Sequence, residues 1–317
     1  MIPAIAHFVW FGESFPWLNA LAIVSAAEVG GFERLVLHTD CAPEVVLRHV
    51  GLARLSRFEV RPIDLAAIAE NAGRELGCVQ RLFEAMRGPA ARSDVLRALI
   101  LAGEGGVYLD MDTVTVSSFA ELRQRSAAFV GQERICFPNW TFARPSVAAK
   151  LKAYVLSAAR FALTVAPRGY RAFAAIEQYY SLAVNNAVLG AEAHHPFIEA
   201  YVSAMLDLPP AQAARRFAVG PHLLAELARQ FVSRPTPVLL LASDVFYPLA
   251  PVISEHWWRR VHAPALSEVL SPDTIVVHWY ASVRSRQLAQ RVDPDYVRRM
   301  RDCQLFSALA SRYLHAC

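Results

Sequence analysis

Gly105-Gly106-Val107-Tyr108-Leu109-Asp110-Met111-Asp112 decides the reading of this chain. Val107-Tyr108-Leu109 is a short β-prone run. The two glycines punctuate its start, and the segment from Ala90 to Ala102 before them has helical character. Two carboxylates therefore close a strand, at the end where α/β sheets usually present their chemistry. An Asp-x-Asp in that place can offer oxygen ligands to a hard divalent cation such as Mg²⁺ or Mn²⁺. Such a cation can neutralise a diphosphate leaving group. An isolated Asp-x-Asp is more often a solvated turn, so the surroundings must carry the argument.

Outward from that motif, strand and helix signals alternate. Ala4–Phe11 reads as a strand. A helix follows over Pro16–Ala27, with Ser14 as its expected N-cap. Leu35–His38 and Phe58–Ile63 read as further strands, and Asp64 as a cap for the helix after them. Such alternation predicts a parallel-rich sheet with helices on its faces. Ser146–Phe161 and Pro196–Gln230 are mostly helical in pattern, broken by Pro209-Pro210 and Gly220-Pro221. Strand signals return at Val238–Leu241 and Thr274–Trp279, and Pro294–Leu314 reads as a last helix. No repeat, low-complexity tract or linker is visible. The expectation is one α/β domain over 1–317, with 146–235 a mostly helical insertion and 294–317 a basic C-terminal helix.

Bulk composition narrows the classes. The 317 residues are 55% hydrophobic, enough for a sizeable core, with a positive mean hydropathy. No window reaches the roughly 18–20 consecutive apolar residues that cross a bilayer. Met1–Phe11 is apolar but lacks a basic region and a small-residue cleavage site, so it reads as a first buried strand rather than a signal peptide. Five widely spaced cysteines, with no Cys-x-x-Cys, point to a reducing compartment and hence to the cytoplasm. The formal charge is +4. From Arg284 onward seven arginines stand against three acids, a surplus equal to that of the whole chain. A basic tail on a neutral body is not a nucleic-acid surface, so no nucleic-acid partner is expected. Arg298, Arg299 and Arg301, beside Val297, Met300, Leu305, Phe306 and Leu309, instead suggest peripheral contact of 294–317 with anionic membrane at its inner face. Docking of that helix on the catalytic domain is the plain alternative.

In Ala91-Arg92-Ser93-Asp94-Val95-Leu96-Arg97, Val95, Leu96 and Leu99 share one helix face while Asp94 and Arg97 lie on another. Alone, that pair would be a surface ion pair of a few tenths of a kcal/mol. Taken with Gly105 to Asp112, the segment resembles the core signature of the DXD glycosyltransferases of family 32, shared with the sugar-transferring domains of large clostridial toxins. Ile2-Pro3-Ala4-Ile5-Ala6-His7-Phe8-Val9-Trp10-Phe11-Gly12 resembles that family's opening strand. Asn185-Asn186-Ala187-Val188-Leu189-Gly190-Ala191, followed by His195-Pro196-Phe197, resembles its middle motif. Gly220-Pro221 has a counterpart, and His278-Trp279-Tyr280-Ala281-Ser282 resembles the C-terminal motif. The similarity runs nearly end to end. Its departures are Val283 where a second Trp is usual, and Ala4 and Ala6 where Lys and Ile are.

The resemblance implies a GT-A fold, with a metal-bridged nucleotide sugar at the strand ends. By position, Asp110 would touch the ribose and the metal's water shell, Asp112 would ligate the metal, and His278 would be its third protein ligand. Asp94 and Arg97 would hold hydroxyls of the donor sugar, with Asn186 in the same catalytic group. Trp10 would stack on the base, favouring uracil, and Ser282 would contact the β-phosphate. Carboxylate plus imidazole suits Mn²⁺ better than Ca²⁺, and Mg²⁺ is the alternative cofactor. The expected activity is transfer of a sugar from a UDP-sugar, with retention, to a glycan, lipid-linked or other acceptor in polysaccharide biosynthesis. From the residues alone, Trp10 also fits a core position, His278 a satisfied strand-end histidine, and Asn185-Asn186 a turn. Two other functions compete. Leu109 to Val114 fits the first motif of haloacid-dehalogenase-like phosphatases, with Asp110 as nucleophile, but the only lysines are Lys150 and Lys152. The other is a non-catalytic carbohydrate-binding protein on the same fold.

Overall fold

The computed structural model describes residues 1–137, 146–215, 217–281 and 291–316. Among the described residues nine strands are present: β1 Ile5–Trp10, β2 Arg34–Thr39, β3 Phe58–Pro62, β4 Gly106–Leu109, β5 Thr113–Thr115, β6 Ala128–Ile135, β7 Ser181–Ala191, β8 Leu239–Leu241 and β9 Val276–His278. Seven form the main sheet in the order β3-β2-β1-β4-β7-β6-β8, and β5 pairs with β9 in a small second sheet. In the main sheet β7 alone runs against the others. The largely parallel α/β sheet expected from the alternating pattern is the one observed.

Alternation along each strand divides the core into two layers. Phe8, Val107, Leu109, Phe129 and Val188 point to one face, where helix α1 (Trp17–Val29) packs. Val9, Tyr108, Val130 and Leu189 point to the other, against α2 (Pro89–Glu104) and α4 (Pro196–Leu206); α3 is the intervening helix Val147–Val165. The turn from α2 into β4 depends on its glycines. Gly105 and Gly106 both take positive φ, +64° and +100°. A Cβ on Gly106 would also sit 2.7 Å from the Ile5 carbonyl oxygen of the neighbouring strand. The helix can therefore stop and the chain reverse directly into the strand that carries the Asp-x-Asp.

Several local expectations change. Ser14 does not cap α1; Pro16 is the N-cap, without a side-chain hydrogen bond. Asp64 does cap its helix, accepting from the Ala66 and Ala67 amides. The mostly helical stretch 146–235 also holds β7, which pairs with both β4 and β6. Asn185-Asn186 is thus strand, not turn. The C-terminal segment is not one helix either: it breaks into α5 (Pro294–Met300), α6 (Leu305–Ala310) and a 3₁₀ turn over Ser311–Tyr313. Val297, Met300, Leu305, Phe306 and Leu309 are all buried, so the apolar face expected to meet a membrane is already used in the core. Arg298, Arg299 and Arg301 stay exposed. Among the described residues no helix is long and apolar enough to cross a membrane.

Candidate active site

The ends of β1 and β4 and the middle of β7 bring the motifs together. β1 and β4 are in register at His7↔Tyr108, so Trp10 lies on the same rim as Asp110 and Met111. β7 pairs Val188 with Leu109, which carries Asn186 past the end of β4. The Asp110 amide donates to the Ala187 carbonyl at 2.8 Å, extending the ladder by one bond and pinning the first Asp.

Asp94, Arg97 and Asn186 form one cluster. Asn186 Nδ2 donates to Asp94 Oδ1 at 2.8 Å. The Arg97 guanidinium lies 3.1 Å from Asp94 and 3.0 Å from Asp110. It also donates to the Asn186 carbonyl and stacks on the Tyr108 ring, 4.4 Å from its centroid. Tyr108 in turn donates its hydroxyl to Asp110 Oδ1 at 2.8 Å. The Asp94–Arg97 pair is therefore not a solvated surface pair: Arg97 is only 3% exposed. That enclosure changes the expectation for Arg97, whose donors are occupied by protein acceptors. Asp94 and Asp110 keep more of their surface open, with side chains 14% and 25% exposed. Burial pushes the Asp94 carboxyl up to about 6 despite the opposing pull of Arg97. It raises Asp110 as well.

Asp112 and His278 are 166 positions apart, and the small sheet joins them. β5 and β9 pair Thr113 with His278, which sets Asp112 beside the imidazole, Oδ1 to Nε2 at 3.0 Å. Asp112 Oδ2 accepts from the Ala281 amide at 2.7 Å. Burial works against ionisation of Asp112, but His278 and that amide outweigh it and hold the carboxyl below its usual range. Burial likewise opposes a charged His278, yet the Asp112 carboxylate beside it, with Asp110 and Glu133 behind, raises it.

Asp110, Asp112 and His278 each offer a ligand atom, all within 4.8 Å of one another. Hard oxygens with one imidazole nitrogen form a donor set suited to Mn²⁺ or Mg²⁺. Charge agrees. Asp94, Asp110 and Asp112 gather three carboxylates, against which the Arg97 guanidinium is paired with Asp94 and Asp110. The other ring nitrogen of His278, Nδ1, is buried with no hydrogen-bond partner among the described residues. These residues fit a divalent cation.

Trp10 is half-buried. It packs on the core and donates Nε1–H to the Ser14 carbonyl at 2.9 Å, so it is neither a pure core residue nor a free platform. Ser282 lies outside the described residues. Two contributors escaped the sequence reading. Glu133 on β6 accepts from Asn185 Nδ2 at 2.7 Å and from the Tyr280 hydroxyl at 2.8 Å. It thereby ties β6, β7 and the turn after β9, where Tyr280 has φ +58°. Its one signal was an acid inside a strand-forming run. Gly220 was noted only as half of a Gly-Pro: a Cβ there would lie 2.5 Å from Asp94 Oδ2 and 3.0 Å from Asn186 Nδ2. The lysines that a phosphatase would need near Asp110 lie exposed on α3.

Comparisons with known proteins follow the same direction. Residues 8–129 match a family model described as the glycosyltransferase sugar-binding region containing DXD motif. Curated proteins yield no match. Among solved structures, the chain is similar to the PaToxG glycosyltransferase, at 16% identity and a TM-score of 0.42, over 72% of this chain and 69% of that one. It is similar to the UDP-bound glycosyltransferase domain of the YGT toxin, at 10% identity and 0.43, over 75% and 79%. It is also similar to mouse xyloside xylosyltransferase 1 in its apo form, at 13% identity and 0.48, over 90% and 100%. The Asp-x-Asp at the end of β4, with Asp94 and Arg97 on α2, lies inside the matched region, so residues 8–129 of this chain are similar to the sugar-binding region of DXD-containing glycosyltransferases, on a largely parallel α/β sheet.

Proposed function

We propose that the protein moves a hexose or N-acetylhexosamine from a UDP-sugar, with retention, to a glycan or lipid-linked acceptor, with Mn²⁺ or Mg²⁺ as cofactor. One observation carries the reading: the cation-ready triad Asp110, Asp112 and His278 shares Asp110 with the Asp94–Arg97–Asn186 cluster. Asp112 and His278 would hold the metal, with Asp110 alongside. A cation there would offset the charge that develops on a departing diphosphate. The protein's own groups do the rest. Asp94, aligned by Asn186 and Arg97, accepts hydrogen bonds from sugar hydroxyls. Arg97 is a positioning residue that keeps Asp94 and Asp110 apart yet paired. Trp10, its indole steadied by the Ser14 carbonyl, offers a ring face to the uracil. Ser282 would approach the β-phosphate.

A donor screen tests this. Purified protein is incubated with UDP- and GDP-sugars and Mn²⁺ or Mg²⁺, and nucleoside diphosphate release is read. UDP release that EDTA abolishes is expected, and Asp112→Asn should reduce it by about 10²-fold or more with the melting temperature retained. Metal-independent release, or near-normal turnover of Asp112→Asn, would reject the assignment. Robust hydrolysis of a chromogenic phosphomonoester would favour a phosphatase. No turnover of any nucleotide sugar would favour a binding protein.

A further inference from the structure

α3 presents an apolar face that the described residues leave largely open, with Phe137 meeting it edge-on at Tyr154, ring centroids 5.8 Å apart. Ala153 and Thr164 are buried, and Leu156 and Leu163 pack on the main core. The Leu156 carbonyl accepts from the Tyr180 hydroxyl at 2.8 Å, and that of Leu163 bonds His256 Nε2 at 2.9 Å. The helix is thus seated, and its outward side is fixed. That side carries Val147, Leu151, Tyr154, Val155, Phe161 and Val165, from 52% to 83% exposed. At helical spacing the six fall in one stripe roughly 120° wide along about 28 Å of helix. Scattered exposed apolar residues are ordinary; a continuous stripe of this kind marks a contact surface.

The charges on the helix indicate what the surface meets. Lys150 and Lys152, the chain's only lysines, lie on either side of the stripe, Lys150 at its border and Lys152 farther round, and both are exposed. Arg160 is the third charge, and α3 contains no Asp or Glu. An apolar face flanked by lysines, whose long stems can lie along it while their ammonium groups reach outward, is the pattern of a helix lying in a headgroup layer. A second copy of the same face would set like charge against like, which disfavours self-association. With three charges, α3 is not a helix that spans.

Its position gives such contact a use. β6 and β7 run beyond β4 at the end that carries Asp110, and pair there out to Ile135↔Ser181. The Tyr180 hydroxyl, one residue before β7, holds the Leu156 carbonyl of α3, which seats the helix beside the end of the sheet that carries Asp110.

We propose that α3 docks the protein on an anionic lipid surface, lying in the headgroup plane with its apolar stripe inserted. Docking in this way turns the open end of the sheet toward the bilayer. If the sugar-transfer reading holds, acceptors anchored in the membrane are thereby brought to the site; the docking itself does not rest on that reading.

The full chain is sedimented with phosphatidylcholine vesicles, with or without phosphatidylglycerol, at low and high salt, and its oligomeric state is measured by ultracentrifugation. Sedimentation with the phosphatidylglycerol vesicles, weakened by salt, is the expected result. Lys150→Glu/Lys152→Glu and Leu151→Glu/Val155→Glu should each weaken it roughly tenfold or more. Both pairs are exposed, so unchanged melting curves will confirm that the variants are folded. The proposal is overturned if wild-type protein stays in the supernatant with phosphatidylglycerol vesicles at low salt, or if folded variants bind as well as wild type. A vesicle-indifferent dimer that Leu151→Glu/Val155→Glu dissociates would overturn it in favour of a second copy.

Discussion

Arg97 answers two carboxylates and a carbonyl from an almost fully enclosed position. Removing one member of such a group leaves charge buried without compensation, which typically costs about 3–5 kcal/mol. Arg97→Met should therefore destabilise the protein by about that amount and abolish transfer. Arg97→Lys should not restore activity, because one ammonium cannot match the guanidinium's several directed donors. Denaturant unfolding of the two variants, with turnover of whatever remains folded, checks this. Gly220 makes the opposite kind of demand, for empty space. Gly220→Ala would force Asp94 or Asn186 aside, so turnover should fall by about tenfold or more, as a small misplacement at a reacting centre commonly does. Unchanged kinetics in the alanine variant would show that Asp94 does not need its present place.

β1 and β2 pair in parallel inside the main sheet and bury His7 and His38 against each other, Nδ1 to Nε2 at 3.2 Å. His7 Nε2 also bonds the Gly105 carbonyl at 3.0 Å. Burial drives both imidazoles down, His7 to about 3 and His38 to about 2. Folded values below the unfolded one mean that the unfolded chain binds more protons in acid. The stability is full above the unfolded value near 6.5 and is lost as pH falls from there toward about 3. Each histidine contributes a slope of about 1.4 kcal/mol per pH unit inside that window. Unfolding free energies at pH 7.5 and 5.5 should differ accordingly, and replacing both histidines with Leu should remove most of the difference. A profile unaltered by the double substitution would contradict the buried neutral pair.

At the scale of the molecule, the C-terminal segment is structural. Val297, Phe306 and Leu309 are fully buried in the same core as β1 and α1. Trp258 stacks on Phe306, ring centroids 4.1 Å apart, and the Tyr313 hydroxyl bonds the Thr115 carbonyl on β5. Fully burying one such side chain is worth about 1.5–3 kcal/mol, so truncation before Pro294 should leave the protein insoluble or molten rather than merely without a tail. Near-ultraviolet circular dichroism of the truncated chain checks this. A truncated protein that melts like wild type would show the tail to be dispensable.

Local pattern determined a good part of this protein. Alternation of apolar runs foretold the α/β class, Asp64 its helix start, and Gly105-Gly106 the turn that ends in Asp110 and Asp112, because each is an interaction among neighbours in the chain. The grouping of Trp10, Asp94, Asn186 and His278 with that motif was legible only through resemblance to a family. Tertiary structure alone decided the rest. Nothing near Glu133 in sequence announces Asn185 or Tyr280, and nothing near Arg97 says that it is enclosed, since both depend on which distant strand pairs with which. The same cause separates the two basic helical segments. α5 and α6 have the composition of a membrane face, but their apolar side chains meet the core first. α3, with fewer charges and no distinguishing motif, keeps its apolar stripe outward because Leu156, Leu163 and the two buried residues beside them already fill its place on the fold.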